Sequence, residues 1–287
     1  MSDPLSDLLP GNPIQPVKLD LTDNFRFRCH KGIACFNKCC ESIDIALTPY
    51  DILSLKKRLG LTSREFLHLH TVPFEMDAHG VPGVKLKTRD DTTACQFLTP
   101  EGCGIYEDRP TACRYYALGL MSMRKKDSPT DENMYFVVKE PHCLGHLESQ
   151  VQTVAEYRQS QGVDRYDELN REWRQVVLKK RSCGPTIGKP SDRSLQLFFL
   201  ASYDLDGFRD FILNPSFRQV YDVPVEELER LSLDDIALMQ FGFRFLKQVL
   251  FGERTIPTQP DALETRTRRR QEINRQKQAP GATDTKS

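Results

Sequence analysis

The hydrophobic pattern changes period along the chain. In the first half it alternates over short runs. Phe25-Arg26-Phe27-Arg28 and Val84-Lys85-Leu86-Lys87 read as half-buried strands, and the apolar run Met134-Tyr135-Phe136-Val137-Val138 reads as a third. Two short helices interrupt these runs. Thr48-Pro49-Tyr50-Asp51 supplies a capping hydroxyl, a proline at the first helical position and an acid at the third, so a helix is expected over 49–59. It presents Ile52, Leu55 and Leu59 on one face, and Gly60 offers a left-handed terminus. Thr62-Ser63-Arg64-Glu65 is a capping box that opens a second helix.

From residue 148 onward the period is helical. Residues 148–181 read as helix in two pieces broken near Gly162, and 190–252 as apolar helix. The Phe198, Phe199, Phe208 and Phe211 stretch is expected to be core. Ser232 with Asp235 is expected to start the longest helix, which runs toward Gly252. The fold class that follows is α+β, a cysteine-rich part with short strands and loops followed by an α-helical region. The expected division is a flexible 1–20, a cysteine region 21–147, a helical region 148–255 and a flexible basic tail 256–287 that carries Arg266, Arg268, Arg269 and Arg270.

Composition narrows the function classes. The 287 residues are 39% hydrophobic and 28% charged, so the chain can build a core. Forty Lys and Arg balance 40 Asp and Glu, which argues against a dedicated nucleic-acid binder. No apolar run reaches the roughly 20 residues that span a bilayer. The N-terminus lacks the basic and apolar regions of a secretory signal, and the expected location is the cytoplasm.

Cysteine usage changes the picture most. Of nine cysteines, eight lie between Cys29 and Cys143, and in a reducing compartment such a cluster points to metal binding or redox chemistry rather than disulfides. The first group is Cys29-x5-Cys35-x3-Cys39-Cys40, and the second is Cys95-x7-Cys103-x9-Cys113 followed by Cys143. Short spacings let a loop wrap a soft metal. On extended backbone the adjacent Cys39 and Cys40 side chains diverge, which places them in two sites or on opposite sides of one cluster. Eight thiols divide into two four-thiolate sites. Zinc and an iron–sulfur cluster are both compatible with such donors. Cys183 stands apart and is read as a bystander.

Cys103-Gly104-Ile105-Tyr106-Glu107-Asp108-Arg109-Pro110-Thr111-Ala112-Cys113-Arg114, together with the first group and Cys95, resembles the YkgJ-type cysteine-cluster family. That family is described as zinc- or iron-chelating, and flagellin lysine N-methylases are similar in their cysteine pattern. The resemblance covers roughly residues 25–147 and implies metal or iron–sulfur binding.

Cations crowd the thiols in sequence: Arg26, Arg28, Lys31, Lys38, Arg109 and Arg114. Such groups lower thiol pKa values and donate hydrogen bonds to sulfur. Tyr106 is expected to donate a phenolic hydrogen bond to a cluster sulfur. His30, His142 and His146 lie within three residues of a cluster cysteine, yet the eight thiolates suffice without them. His68, His70 and His79 read as surface or packing residues.

Three functions stay open. The first is a metal- or iron–sulfur-binding protein, structural or electron-carrying, whose helical region meets a protein partner. The second is a protein lysine N-methyltransferase carrying an iron–sulfur cluster. The third is a metal-handling or redox-sensing protein. The enzyme reading lacks a Gly-x-Gly-x-x-Gly loop, and Ser42 stands where a three-cysteine radical motif needs its third thiol.

Overall fold

Local hydrogen bonds set the first elements of the computed structural model, which describes residues 18–124, 131–182 and 190–262. Strand β1 (Asn24–Arg26) leads into the cysteine loops. Helix α1 (Pro49–Leu59) starts at Thr48, whose hydroxyl accepts from the Asp51 N–H while the Asp51 carboxylate accepts from the Thr48 N–H. It ends at Gly60 with φ 67°. Helix α2 (Ser63–His70) opens on the Thr62–Glu65 capping box. Strands β2 (Thr71–Glu75) and β3 (Pro82–Leu86) form a hairpin with Val72 opposite Lys85, so the expected strand over 84–87 begins two residues earlier and ends at Leu86.

Strands β4 (Leu98–Thr99) and β5 (Gly102–Cys103) make a tight hairpin, and helix α3 (Thr111–Tyr115) follows. Strands β6 (Leu118–Arg124) and β7 (Asp131–Val137) pair antiparallel, with Leu120 opposite Tyr135. Strand β8 (Val151–Thr153) returns to β1, with Phe25 opposite Gln152, and clasps the two ends of the cysteine region.

The helical part comprises α4 (Val154–Ser160), α5 (Val163–Ser182), α6 (Asp192–Ser202), α7 (Leu205–Leu213), α8 (Pro215–Arg218), α9 (Val225–Leu233) and α10 (Asp235–Phe251). Gly162, at φ 64°, separates α4 from α5 as its sequence position suggests. The cap of α10 differs from expectation. Asp234 caps it, accepting from the Ile236 and Ala237 N–H groups at 2.9 and 3.0 Å, while Ser232 belongs to α9 and donates to the Glu229 carbonyl. Among the described residues no helix is long and apolar enough to cross a membrane.

The architecture is α+β with two hydrophobic cores. The larger joins Ile52, Leu55, Phe66, Val84 and Ile105 to Trp173, Phe198, Phe208, Phe241 and Phe245, and so crosses the division drawn between residues 147 and 148. The smaller joins Phe25, Phe27, Tyr115, Leu118, Tyr135, Val154 and Tyr157. The cysteine loops lie where the two cores meet, since thiols pack against both.

Candidate metal centre

All eight clustered cysteines line one cavity of about 380 Å³. Two walls and a connecting turn supply them.

The first wall rests on the clasp between the ends of the cysteine region. The Arg28 N–H donates to the Gly145 carbonyl at 3.0 Å, and the Phe27 N–H donates to the Gln150 carbonyl at 3.1 Å, which brings Cys29 beside Cys143. The Leu144 N–H points at Cys35 Sγ at 3.2 Å. Cys143 packs against the smaller core. Desolvation of its sulfur at the cavity wall pushes the Cys29 thiol up to about 11, and Cys39, Cys35 and Cys143 add to the rise. Burial also raises Cys143, helped by Cys35 and Cys39.

The second wall belongs to the larger core. The Cys95 N–H donates to the Cys40 carbonyl at 2.8 Å, and Cys40, Cys95 and Cys103 all pack on that core. Cys103 is presented by the β4–β5 hairpin, where Gly102 has φ 126° and a Cβ would stand 3.2 Å from the Phe36 ring. Cys113 sits on α3. The first turn of that helix is held by Asp51, which accepts from the Thr111 N–H at 2.8 Å and its hydroxyl at 2.7 Å. The same carboxylate therefore caps α1 and positions a thiol. The Cys113 thiol is pushed up, first by burial, then by Cys95 and Cys103.

Cys39 and Cys40 join the walls. They lie in a 3₁₀ turn, Lys38–Cys40, entered through Asn37 at φ 71°. The extended backbone assumed from sequence is thus replaced by a turn with three residues per revolution, which spaces successive side chains by about 120°. The two sulfurs stand 3.9 Å apart. Their mutual hydrogen bond holds Cys39 below the ordinary thiol range and raises Cys40.

The thiols ring the cavity. Among the described residues, no three His, Cys, Asp or Glu side chains form a group at single-ion spacing. Eight sulfur donors in one cavity nevertheless suit a soft metal, zinc or iron, and thiolate is the form that binds. The buried Tyr116 hydroxyl, without a full hydrogen bond and beside Cys143, also fits a thiolate at that position.

Arg109 lines the cavity and is 8% exposed. Its guanidinium donates to the Tyr106 carbonyl at 2.9 Å and to Gln161 Oε1 at 2.6 Å, and lies 3.9 Å from the centre of the Tyr106 ring. No carboxylate pairs with it among the described residues. It draws down both Cys29 and Cys103, one thiol on each wall.

Arg114 stands behind Arg109. It donates to the Arg109 and Gln161 carbonyls at 3.0 and 2.9 Å and to the Tyr166 hydroxyl at 3.0 Å, so it fixes the loop rather than a sulfur. Tyr106 is a half-exposed platform for Arg109, and its hydroxyl has no hydrogen bond among the described residues. The phenol beside a thiol is that of Tyr116.

Of the other cations, Arg28 lines the cavity, while Arg26, Lys31 and Lys38 do not, and Lys38 pairs with Glu41. His142 lines the cavity and lies 3.5 Å from Glu140, and His30 lies 3.4 Å from Glu148. His146 is held by the Val138 carbonyl at 3.0 Å and the Arg26 carbonyl at 3.3 Å, and burial lowers its pKa. His70 faces Gln96 at 2.6 Å. Cys183 and the basic run at 266–270 lie outside the described residues.

Tyr116, Gln161 and Asp51 escape the sequence reading as site residues. Asp51 is legible there only as a cap, and Tyr116 only as a neighbour of the Cys113-Arg114 signature.

Comparison with known proteins agrees with this site. Residues 28–144 match the CxxCxxCC family, described as "Putative zinc- or iron-chelating domain". The matched segment holds all eight clustered thiols and agrees with the resemblance read from the sequence, and zinc or iron is the metal that the description gives. No curated protein and no solved structure matches the chain.

Proposed function

We propose that the eight cysteines hold zinc or an iron–sulfur centre in two linked halves, in a cytoplasmic protein where the metal is structural or carries electrons. Cys29, Cys35 and Cys143 form one half and Cys40, Cys95, Cys103 and Cys113 the other, with Cys39 facing both. The observation that carries this reading is the convergence of all eight thiols on one cavity.

Bound iron–sulfur would supply one-electron transfer, and bound zinc would supply folding free energy. The chain's own residues do the rest. Arg109 places a fixed positive charge between the halves, and Gln161 and Tyr106 hold it there. Arg114 holds the loop that presents Arg109. Asp51 holds the helix that presents Cys113. Exposed Leu213 on α7, and Val225 and Leu233 on α9, support a protein-facing role for the helical part.

Purification without oxygen, followed by visible spectroscopy and by metal and sulfide analysis, tests the reading. We expect bound zinc in colourless protein, or iron with acid-labile sulfide in brown protein. Metal-free protein whose cysteines are paired as disulfides would refute it. One observation favours a second reading as a metal-handling or redox-sensing protein: Cys29 and Cys39 are exposed. Exchange of bound zinc with a chelator within seconds supports that reading, and exchange over hours supports the structural one.

A further inference from the structure

Two buried side-chain nitrogen or oxygen atoms among the described residues lack a hydrogen-bond partner, Arg209 Nε and Tyr116 Oη. The Arg209 guanidinium is otherwise satisfied by Asp206 and Asp235. Tyr116 has no such relief. Its hydroxyl lies beside Glu140 and Cys143, close enough to lower the Cys143 thiol, yet it reaches full hydrogen-bond geometry with neither. Glu140 is engaged with His142 at 3.5 Å.

The Tyr116 ring cannot easily turn away. It packs edge-on against Phe27, with centroids 6.4 Å apart and planes at 79°. Its backbone carbonyl accepts from the Tyr157 hydroxyl, and its N–H donates to the Ala112 carbonyl at 3.2 Å. The backbone at Tyr116 is therefore pinned and its ring packed, with the hydroxyl buried beside Cys143 and Glu140.

A protonated thiol is a weak acceptor, and a thiolate is a strong one. Metal binding requires the thiolate. Loading the cavity thus turns Cys143 into a much stronger acceptor beside the Tyr116 hydroxyl. We propose that Tyr116 is a positioning residue that donates its hydroxyl hydrogen bond to the metal-bound Cys143 thiolate, and so favours the loaded over the empty site. The inference rests on the reading of Cys143 as a ligand.

This geometry has opposite consequences in the two states. In metal-free protein the hydroxyl is a buried donor without a partner, and its removal costs nothing or helps. In loaded protein the same removal strips a hydrogen bond from a ligand, a change that commonly weakens metal affinity by about 10–100-fold. A purely structural role for the side chain would make both states worse together.

Tyr116→Phe keeps the ring and deletes the hydroxyl. Zinc affinity, measured by competition with a chromophoric chelator, should fall by about 10–100-fold. The thermal midpoint of the metal-free variant should equal or exceed that of the parent. Unchanged affinity, or an equal loss of stability with and without zinc, would overturn the proposal. Cys143→Ser, measured alongside, separates the two levels. If it binds zinc as the parent does, the reading of Cys143 fails. If it loses zinc while Tyr116→Phe does not, the ligand reading stands and the Tyr116 inference fails.

Discussion

The sulfurs of Cys39 and Cys40 stand 3.9 Å apart within one 3₁₀ turn. Two thiolates about 2.3 Å from a tetrahedral ion lie about 3.8 Å from each other, so the pair is preset at ligand spacing. Cys39 also acts electrostatically on Cys29 and Cys143 of one wall and on Cys103 and Cys113 of the other, whereas Cys40 feels Cys113 and Cys95.

The two cysteines should therefore differ under substitution. Cys40→Ser should damage the half built on Cys95, Cys103 and Cys113 and leave about half of the metal, because a four-ligand site reduced to three opens to water. Cys39→Ser should lose more than half, since both walls face it. Metal content per folded chain decides this. Equal losses in the two variants would remove the asymmetry, and a silent Cys39→Ser would remove the shared role.

Arg109 supplies a second test. A buried guanidinium without a carboxylate is costly unless another anion compensates it, and the thiolates are the anions at hand. Arg109→Met should weaken zinc binding by about 10-fold or more at neutral pH. Arg109→Lys should recover part of the loss, because it keeps the charge but not the fork that reaches Tyr106 and Gln161. Chelator competition on the three proteins measures the order. Parent-like binding by Arg109→Met would show that the charge is compensated elsewhere.

The raised thiols give a pH dependence with a definite sign. Desolvation of its sulfur by the cavity wall lifts Cys29 from 9.0 to about 11, although the residue as a whole is exposed. A folded-state value above the unfolded one means that the protonated thiol is favoured in the fold. The stability it contributes is complete below about 9 and is lost as pH rises through about 11. The thermal midpoint of metal-free protein should fall across that window, and less steeply in Cys29→Ser. The loaded protein should show the reverse trend on the acid side, releasing metal as protons compete for the thiolates. A flat profile in metal-free protein would contradict the desolvation of this sulfur.

What was legible in the chain, and what was not, follows from the range of each interaction. The Thr48–Asp51 and Thr62–Glu65 boxes and the Gly162 break are complete within four residues, so their chemistry is visible in sequence. The eight cysteines were legible because no packing argument explains such a count. Pairing of Phe25 with Gln152 was not, since nothing local to either residue specifies it. Arg109 could be read as a cation near sulfur, but its Gln161 partner comes from the far side of the cysteine region. Tyr106 and Tyr116 are chemically identical in sequence, and only the burial of one hydroxyl at Cys143 separates them. Asn37 is a residue type that tolerates the left-handed conformation, but nothing beside it in sequence specified that it turns Cys39 and Cys40 out of an extended path.

The shared core decides how far the loss of metal should spread. Helix α1, helix α2 and the β2–β3 hairpin lie between the two cysteine groups, yet they pack into the same core as α5, α6, α7 and α10. Leu55, Phe66 and Phe208 are fully buried there, and replacing such a phenylalanine by alanine typically costs about 3–5 kcal/mol. That core draws on apolar burial and needs no ion. The loops that carry thiols have less of their own. Cys29 and Cys39 are exposed, and the 3₁₀ turn at Lys38–Cys40 has no buried residue. Chelation should therefore strip hydrogen-exchange protection from the backbone around residues 29–43, 95–104 and 140–147. Protection in α1, α2 and β3 should persist together with that in α6 and α10. The hydrogen bond from the Cys95 N–H to the Cys40 carbonyl is a sensitive reporter, because it ties a loop thiol to the core wall. Exchange measured with and without a strong chelator reads all of these at once. Collapse of α1 and α2 with the loops, while α6 and α10 stay protected, would instead mean that the cysteine region folds as a unit on its metal.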